Sequence, residues 1–157
     1  MTVAPLIEAR GVSVRYGPRT VLAPTDLAIA AGATTVIVGP NGAGKTTLMR
    51  VLTGELAPSS GSVRFGGADI ATLSAAALAR RRAVLPQATR LSFPFTVHEV
   101  VRLGCPAGRD DPTRIAALLE RVDLAGFGDR YYQQLSGGEQ QRVQLARVLA
   151  QLDIGRD

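Results

Sequence analysis

A glycine-rich segment with one lysine is the part of this sequence whose residue types and spacing most clearly allow chemistry. It reads GPNGAGKTT over residues 39–47 and matches the phosphate-binding pattern G-x-x-x-x-G-K-[ST]. Gly42 and Gly44 carry no Cβ, so the backbone can curl around an anion and turn its N–H groups inward. The free N–H groups and the dipole of a following helix also favour negative charge. The pattern therefore predicts a cradle for a phosphate chain.

The side chains of this loop have distinct predicted roles. Lys45 supplies a full positive charge to the β- and γ-phosphates of a nucleotide, so it is predicted to act in both binding and catalysis, and Thr46 is the expected Mg²⁺ ligand. A glycine-rich turn that binds nothing is the structural alternative, but the apolar strand pattern before the loop and the helix pattern after it favour the phosphate site. The predicted nucleotide-binding residues are Gly39, Pro40, Asn41, Gly42, Ala43, Gly44, Lys45, Thr46 and Thr47.

The elements that must position this loop are predicted from the hydrophobic pattern. An apolar, β-branched run predicts a strand over residues 34–38, directly before the loop. The helix after the loop covers residues 47–52 and ends near Gly54, a typical glycine at the C′ position. Partly alternating segments predict two earlier strands, over residues 6–16 and 21–29.

The second half of the sequence is predicted to be mainly helical. Residues 74–82 are rich in alanine and arginine and favour a helix, and a short strand is predicted over 83–85. A helix over residues 96–103 begins with a capping box formed by Thr96 and Glu99. A further helix begins with Asp111 as its N-cap and proline at the first helical position.

A second candidate anion site precedes the last predicted helix, residues 140–152. Ser136 and Glu139 form a capping box, which is the ordinary structural explanation of this motif. Gly137 and Gly138 are costly in a first helical turn, which makes sense if backbone N–H groups approach a ligand closely. One nucleotide needs one cradle, so the two sites together suggest a head-to-tail dimer with ATP between two copies of the chain.

Composition excludes several classes of protein. The 157 residues suggest one domain or part of one, and 46% hydrophobic residues are enough for a packed core. The net charge is +5, but the only basic cluster, Arg80 to Arg82, is short and has no interleaved aromatic residues, so no nucleic-acid partner is expected. Cys105 is the only cysteine, which excludes an intramolecular disulfide. No apolar run has the length of a membrane span, so the chain is expected to be soluble.

The two motifs together resemble those of ABC-type ATPases. Residues 135–142, LSGGEQQR, are similar to the signature of that family, and with the loop at 39–47 they form a pair specific to it. The resemblance extends from Leu6 to about Leu152. It implies an α/β fold: a P-loop NTPase (RecA-like) ABC ATPase core with an N-terminal antiparallel β subdomain and an α-helical signature subdomain. Residues 1–157 would form a partial ABC ATP-binding domain, divided at about residues 1–88 and 89–152, with the core incomplete at the C-terminus.

The resemblance also implies further site residues, with ATP and Mg²⁺ as the bound groups. Gln87 matches the glutamine that helps to hold Mg²⁺ and the attacking water and that senses the membrane partner. Tyr16 matches the aromatic residue that stacks on adenine, although an aromatic residue at this place also suits a packed core. The residues implied to contact the ATP of a second subunit in trans are Ser136, Gly137, Gly138 and Glu139.

Within the family, the sequence is most similar to the ATP-binding subunits of bacterial hemin importers. Residues 85–97 and 141–152 carry this likeness. It implies a homodimer whose ATP-driven closure and hydrolysis drive a transmembrane hemin permease, supplied by a periplasmic binding protein, at the cytoplasmic face of the bacterial inner membrane. The alternatives are an importer subunit for ferric siderophore or cobalamin, an ABC ATPase without a transport role, and a non-catalytic truncated fragment.

The sequence departs from the family after the signature helix. The family pattern continues with an apolar strand ending in Asp-Glu and, later, a switch histidine. Residues 149–154 do not fit that strand, because Gln151 interrupts it and no glutamate follows Asp153. The only histidine, His98, lies upstream of the signature and does not match the switch histidine. Because phosphoryl transfer depends on positioning and on a base, we expect this chain alone to bind nucleotide weakly and to hydrolyse it very poorly.

Overall fold

The structure, a computed structural model, describes residues 4–87, 93–105 and 111–154. The chain forms two compact units, residues 1–78 and 79–157, and each unit has its own hydrophobic core. Residues 88–92, which belong to the segment resembling hemin importers, lie outside the described residues. Within the described ranges, no helix combines the length and the apolar character that a membrane crossing requires.

The first unit contains four strands, β1 (Ile7–Tyr16), β2 (Arg19–Ile29), β3 (Ser60–Phe65) and β4 (Ala68–Asp69). They form one sheet in the order β2-β1-β3-β4, and each neighbouring pair is antiparallel. The predicted antiparallel β subdomain is therefore confirmed. A two-residue turn joins β1 to β2, and it places Tyr16 opposite Arg19. The first residue of this turn, Gly17, has a φ of 56°, which glycine adopts without strain.

Helix α1 (Lys45–Leu52) follows the glycine-rich loop and packs on this sheet. Its buried residues are Leu48, Val51 and Leu52, which share one face because they are three or four positions apart. Gly54 follows the helix with a φ of 71°, as predicted for the C′ position, and its N–H donates to the carbonyl of Val51. A short 3₁₀ helix, Ile70–Thr72, closes the other side of this core.

The segment before the loop differs from the prediction. Residues 33–40 form no regular strand, and the predicted strand over residues 34–38 is wrong for this structure. Val36 and Val38 are 73% and 83% exposed, whereas Ile37 packs against the core of the first unit. A strand needs a hydrogen-bonded neighbour, and none of the four strands that the structure describes pairs with this segment. Residues 83–85 are likewise irregular instead of forming the predicted short strand.

The second unit is helical around one core. Its helices are α3 (Val97–Arg102), α4 (Pro112–Arg121) and α5 (Gly137–Ile154). Each buries apolar residues spaced three or four positions apart, and these residues meet in a single cluster. The predicted helix at 74–82 is shorter in the structure, where α2 (Ala75–Ala79) spans five residues and its Leu78 packs in the core of the first unit. A 3₁₀ helix at Tyr132–Gln134 also belongs to the second unit.

The predicted helix starts of α3 and α4 are confirmed. Thr96 and Glu99 form the capping box of α3. Asp111 accepts a hydrogen bond from the N–H of Thr113 at 2.9 Å, and Pro112 is the first residue of α4. Because each cap satisfies backbone N–H groups that have no partner inside the helix, the side chains fix where each helix begins.

Candidate nucleotide-binding site

The glycine-rich loop has a backbone shape that depends on glycine. Gly39, Gly42 and Gly44 have φ values of 155°, 84° and 83°, a region that side chains other than glycine rarely adopt. The N–H of Ala43 donates to the carbonyl of Pro40 at 3.3 Å, which closes the turn. A Cβ added to Gly42 would meet no heavy atom within 4 Å, so the loop faces open space at this residue. Such space beside a run of backbone amides suits an anion.

Lys45 is held over the loop by the loop itself. Its Nζ donates to the carbonyl oxygens of Gly39 and Pro40, both at 2.7 Å. An ammonium group has three N–H donors, so one remains for a phosphate oxygen while both of these bonds persist. The lysine charge is therefore positioned before any ligand arrives.

The donor set of the loop fits a triphosphate that carries Mg²⁺. Thr46 follows the lysine in the first turn of α1, and its residue is exposed, so its hydroxyl is accessible to a metal ion. Mg²⁺ prefers oxygen ligands and usually binds through substrate phosphates and few protein groups. Backbone amides, one cation and one exposed hydroxyl supply what this arrangement needs.

Strand β2 forms the wall behind the loop, which sequence reasoning did not predict. A Cβ added to Gly44 would lie 2.8 Å from the carbonyl oxygen of Val21 and 3.4 Å from Cδ1 of Leu22. The glycine therefore serves close packing as well as backbone shape. Spacing along the chain gave no signal for this contact, because it joins residues more than 20 positions apart.

Tyr16 lies at the hairpin tip, on the same strand pair as this wall. It is 55% exposed, so the alternative in which it fills the core is not observed. Its partner Arg19 is two residues from Val21, which is about 7 Å along a strand. An exposed aromatic ring thus lies on the hairpin whose second strand contacts the glycine-rich loop.

The signature segment begins α5 with the predicted capping box. The N–H and the hydroxyl of Ser136 both donate to Oε2 of Glu139, at 2.8 and 2.6 Å. The N–H of Glu139 lies 3.4 Å from Oγ of Ser136. Helix α5 begins at Gly137, three residues before the predicted start. Cβ atoms added to Gly137 and Gly138 would meet nothing within 4 Å, so the backbone there is open to approach.

Both capping carboxylates have lowered pKa values. The hydrogen bonds from the side chain and backbone of Ser136 are the main cause of the lowered pKa of Glu139, and the charges of Arg142 and Arg130 act in the same direction. The pKa of Glu99 is lowered by its hydrogen bonds from the backbone and side chain of Thr96 and, less, by Arg102 and His98. Both groups are therefore ionised near neutral pH.

These shifts predict a loss of stability in acid. A carboxyl whose folded pKa lies below its ordinary value of 4.5 stabilises the fold fully above that pH, and the contribution disappears as pH falls through the folded pKa. We expect the urea midpoint of the chain to fall between about pH 5 and about pH 3, and to fall less in the double variant E99Q/E139Q. Equal falls for the variant and the unmodified chain would contradict this explanation.

Gln87 lies in the second unit and is exposed. Its carbonyl oxygen is 3.5 Å from Nε2 of Gln141, so it lies next to the signature helix. Thr46 belongs to the first unit, and joint binding of Mg²⁺ by Thr46 and Gln87 stays a prediction. Among the described residues, no group of three or more His, Cys, Asp or Glu side chains could hold a metal ion alone.

The signature helix is held in place by buried polar contacts that sequence reasoning missed. Nε2 of Gln144 donates to the hydroxyl of Tyr132 at 3.2 Å, and Nε of Arg147 donates to Oε1 of Gln144 at 2.8 Å. Gln144 is 4% exposed, so losing its partner would leave a buried polar group unsatisfied. Near the end of α5, Gln151 donates to the carbonyls of Ala79 and Arg82. These bonds fix α5 and therefore the start that carries Ser136.

The fold and the two motifs define the class of protein. Residues 22–152 match the ABC transporter family, so the chain belongs to that family. A hemin import ATP-binding protein (HmuV) of Rhizobium meliloti is 56% identical over 151 residues, which cover 94% of this chain and 58% of that protein. The protein of the same name from Jannaschia sp. is 54% identical over 149 residues, covering 94% of this chain and 55% of the relative. The chain thus spans just over half the length of these relatives.

Solved structures agree with this assignment. A bacterial Atm1-family ABC exporter with ATP bound superposes with a TM-score of 0.84 at 29% identity, covering 96% of this chain and 28% of that one. A nucleotide-free ATP-binding cassette from an ABC transporter gives a TM-score of 0.80 at 26% identity, covering 94% and 65%. The predicted fold, a partial ABC ATPase domain, is confirmed.

Proposed function

We propose that this chain is the ATP-binding part of an ABC importer subunit and that the importer transports hemin. The observation that carries the ATP site is the Lys45 ammonium, held by two carbonyls of its own loop beside open backbone amides. The high identity to hemin import ATP-binding proteins supports the substrate. Ferric siderophore and cobalamin importers are the alternatives.

Nucleotide binding begins at the loop. The amides around Gly42 and Gly44 donate to the phosphate oxygens, and Lys45 neutralises part of their charge. The ring of Tyr16 stacks on adenine, because the hairpin tip lies about two strand residues from the wall of the loop. The Thr46 hydroxyl would hold Mg²⁺, which would supply charge neutralisation for the phosphates when bound, and Gln87 stays a predicted second ligand.

A second copy of the chain completes the site. The open backbone at Gly137 and Gly138 and the hydroxyl of Ser136 form the start of α5, where the helix dipole favours an anion. In the closed dimer the N-terminus of α5 faces the γ-phosphate of the ATP bound to the other copy. The other copy makes the same contact with the ATP of the first. ATP therefore joins the two subunits, and its hydrolysis lets them separate.

The closed dimer drives a transmembrane hemin permease at the cytoplasmic face of the inner membrane, and a periplasmic binding protein delivers hemin to that permease. The Gln87 region transmits the motion, because Gln141 links it to the signature helix. By themselves, the 157 residues hydrolyse ATP about 10²–10⁴-fold more slowly than a site with a positioned base. Rapid turnover by this chain alone would contradict that part of the proposal.

Stimulation by a permease tests the substrate. The full chain is reconstituted in vesicles with a hemin permease or, as a matched comparison, with a ferric-siderophore permease, and phosphate release is measured with and without the loaded binding protein. We expect stimulation of at least about threefold with hemin and none with siderophore, because only the fitting permease closes the dimer productively. Stimulation by the siderophore system alone would assign the other substrate class.

A further inference from the structure

The Glu139 carboxylate accepts the hydrogen bond that the Ser136 hydroxyl would otherwise donate to a phosphate oxygen. The Ser136 hydroxyl lies 2.6 Å from Oε2 of Glu139, and the backbone N–H of Ser136 donates to the same oxygen at 2.8 Å. A hydroxyl carries one proton, so it cannot donate to a carboxylate and to a phosphate oxygen at the same time. The serine is therefore already engaged before any nucleotide arrives.

Placing a phosphate oxygen on this hydroxyl also brings two negative charges together. The carboxylate oxygen is 2.6 Å from Oγ, and a phosphate oxygen bound to the same hydroxyl lies about 2.7 Å from it. The two charged oxygens are then at most about 5 Å apart. The hydrogen bonds from Ser136 and, less, the charges of Arg142 and Arg130 lower the pKa of this carboxyl, so it is ionised at neutral pH and repels the phosphate.

We propose that Glu139 is a positioning residue that opposes closure on ATP: it holds Ser136 in a resting orientation and repels the γ-phosphate of the nucleotide bound to a second copy. This inference rests on the proposed function, because it concerns the same dimeric site. The residue caps the start of α5 and at the same time limits how tightly two copies close around a triphosphate. Removing the negative charge of Glu139 therefore stabilises the closed dimer.

The chain contains a matched control for this role. At the start of α3, the N–H and hydroxyl of Thr96 donate to Oε2 of Glu99 at 2.7 and 3.1 Å, and the N–H of Glu99 donates back to Thr96 at 3.2 Å. This capping box has the same chemistry and lies in the same compact unit. Val97 and His98 lie between its two members, where the signature segment has two glycines, and no nucleotide contact is predicted for it.

The test compares E139Q with E99Q in the full chain. Glutamine keeps an acceptor oxygen for the backbone N–H and removes the charge, so both variants weaken a cap similarly, and thermal unfolding checks that equality. Dimer formation is measured by sedimentation while a non-hydrolysable ATP analogue is titrated. We expect E139Q to lower the analogue concentration for half-maximal dimerisation about fivefold, the effect of one close charge pair in water, and E99Q to leave it unchanged.

Several outcomes would overturn the proposal. An unchanged or higher midpoint for E139Q would show that the carboxylate does not oppose closure, and equal shifts in both variants would show a general effect of charge removal. Monomer affinity for the analogue, measured by calorimetry below the dimerisation range, is expected to be unchanged in E139Q, whereas a merely structural defect would lower it. If K45A dimerises with the analogue as the unmodified chain does, the proposed ATP site fails as well, and that result is distinct from a failure of Glu139 alone.

Discussion

Replacing Lys45 by alanine is expected to weaken ATP binding by at least about 100-fold, because it removes charge-assisted hydrogen bonds to the phosphates that contribute about 1.5–3 kcal/mol each. Lys45 is the only lysine of the sequence, and its Nζ is fixed by the carbonyls of Gly39 and Pro40. No other residue of the loop carries a positive charge that could take its place. Calorimetric titration of ATP into K45A and into the unmodified chain measures the difference.

Arg50 offers the control for this variant. It lies in the last turn of the same helix and is exposed, so R50A removes one positive charge from α1 without touching the loop. We expect R50A to change ATP affinity by less than about twofold, since exposed charges at this distance are screened by salt. Equal losses in K45A and R50A would mean that overall charge, and not a positioned ammonium, attracts the nucleotide.

Replacing Gly44 by alanine is expected to have the second largest effect. The added Cβ would lie 2.8 Å from the carbonyl oxygen of Val21, a backbone atom that cannot rotate away, and the residue would have a φ of 83°. We expect a loss of about 2–4 kcal/mol in the free energy of unfolding, from backbone strain together with overpacking. Because the loop must move off β2 to relieve the clash, ATP affinity should also fall at least about tenfold. Urea unfolding and calorimetry measure the two effects.

A variant at Gly32 distinguishes the effect of the steric clash in G44A from the effect of backbone strain alone. Its φ is 70°, and a Cβ there would meet no heavy atom within 4 Å. G32A therefore introduces only the backbone strain, which costs about 1–2 kcal/mol, and it should leave ATP affinity unchanged. If G32A and G44A lose the same stability and the same affinity, the wall formed by β2 has no role in shaping the phosphate site.

The helix starts could be predicted from sequence because their interactions are local. Thr96 with Glu99, and Ser136 with Glu139, are three residues apart, and Asp111 caps a helix that begins with the next residue. In each case the side chain satisfies a backbone N–H of the same turn, so no distant residue decides the outcome. The turn of the glycine-rich loop is local in the same way, since Lys45 donates to the carbonyls of Gly39 and Pro40, whereas phosphate binding there stays a prediction.

Strand pairing could not be predicted in this way. Residues 34–38 have the composition of a buried strand, yet Val36 and Val38 are largely exposed and the segment is irregular. Strand formation is decided by neighbours that supply hydrogen bonds and cover both faces, and composition does not name those neighbours. The contact of Gly44 with Val21 and the buried bonds of Gln144 escaped prediction for the same reason.

The central claim is that a triphosphate binds at Lys45, and chemical labelling of this residue tests it most directly. Lysine-selective acylation has only two targets in the sequence, Lys45 and the N-terminal amine, so the second serves as an internal reference. Mass spectrometry follows both rates with and without millimolar ATP and Mg²⁺. We expect ATP to slow acylation of Lys45 at least about tenfold, because a phosphate oxygen occupies its free N–H, and to leave the N-terminal amine unaffected. An unchanged rate at Lys45 would contradict the account.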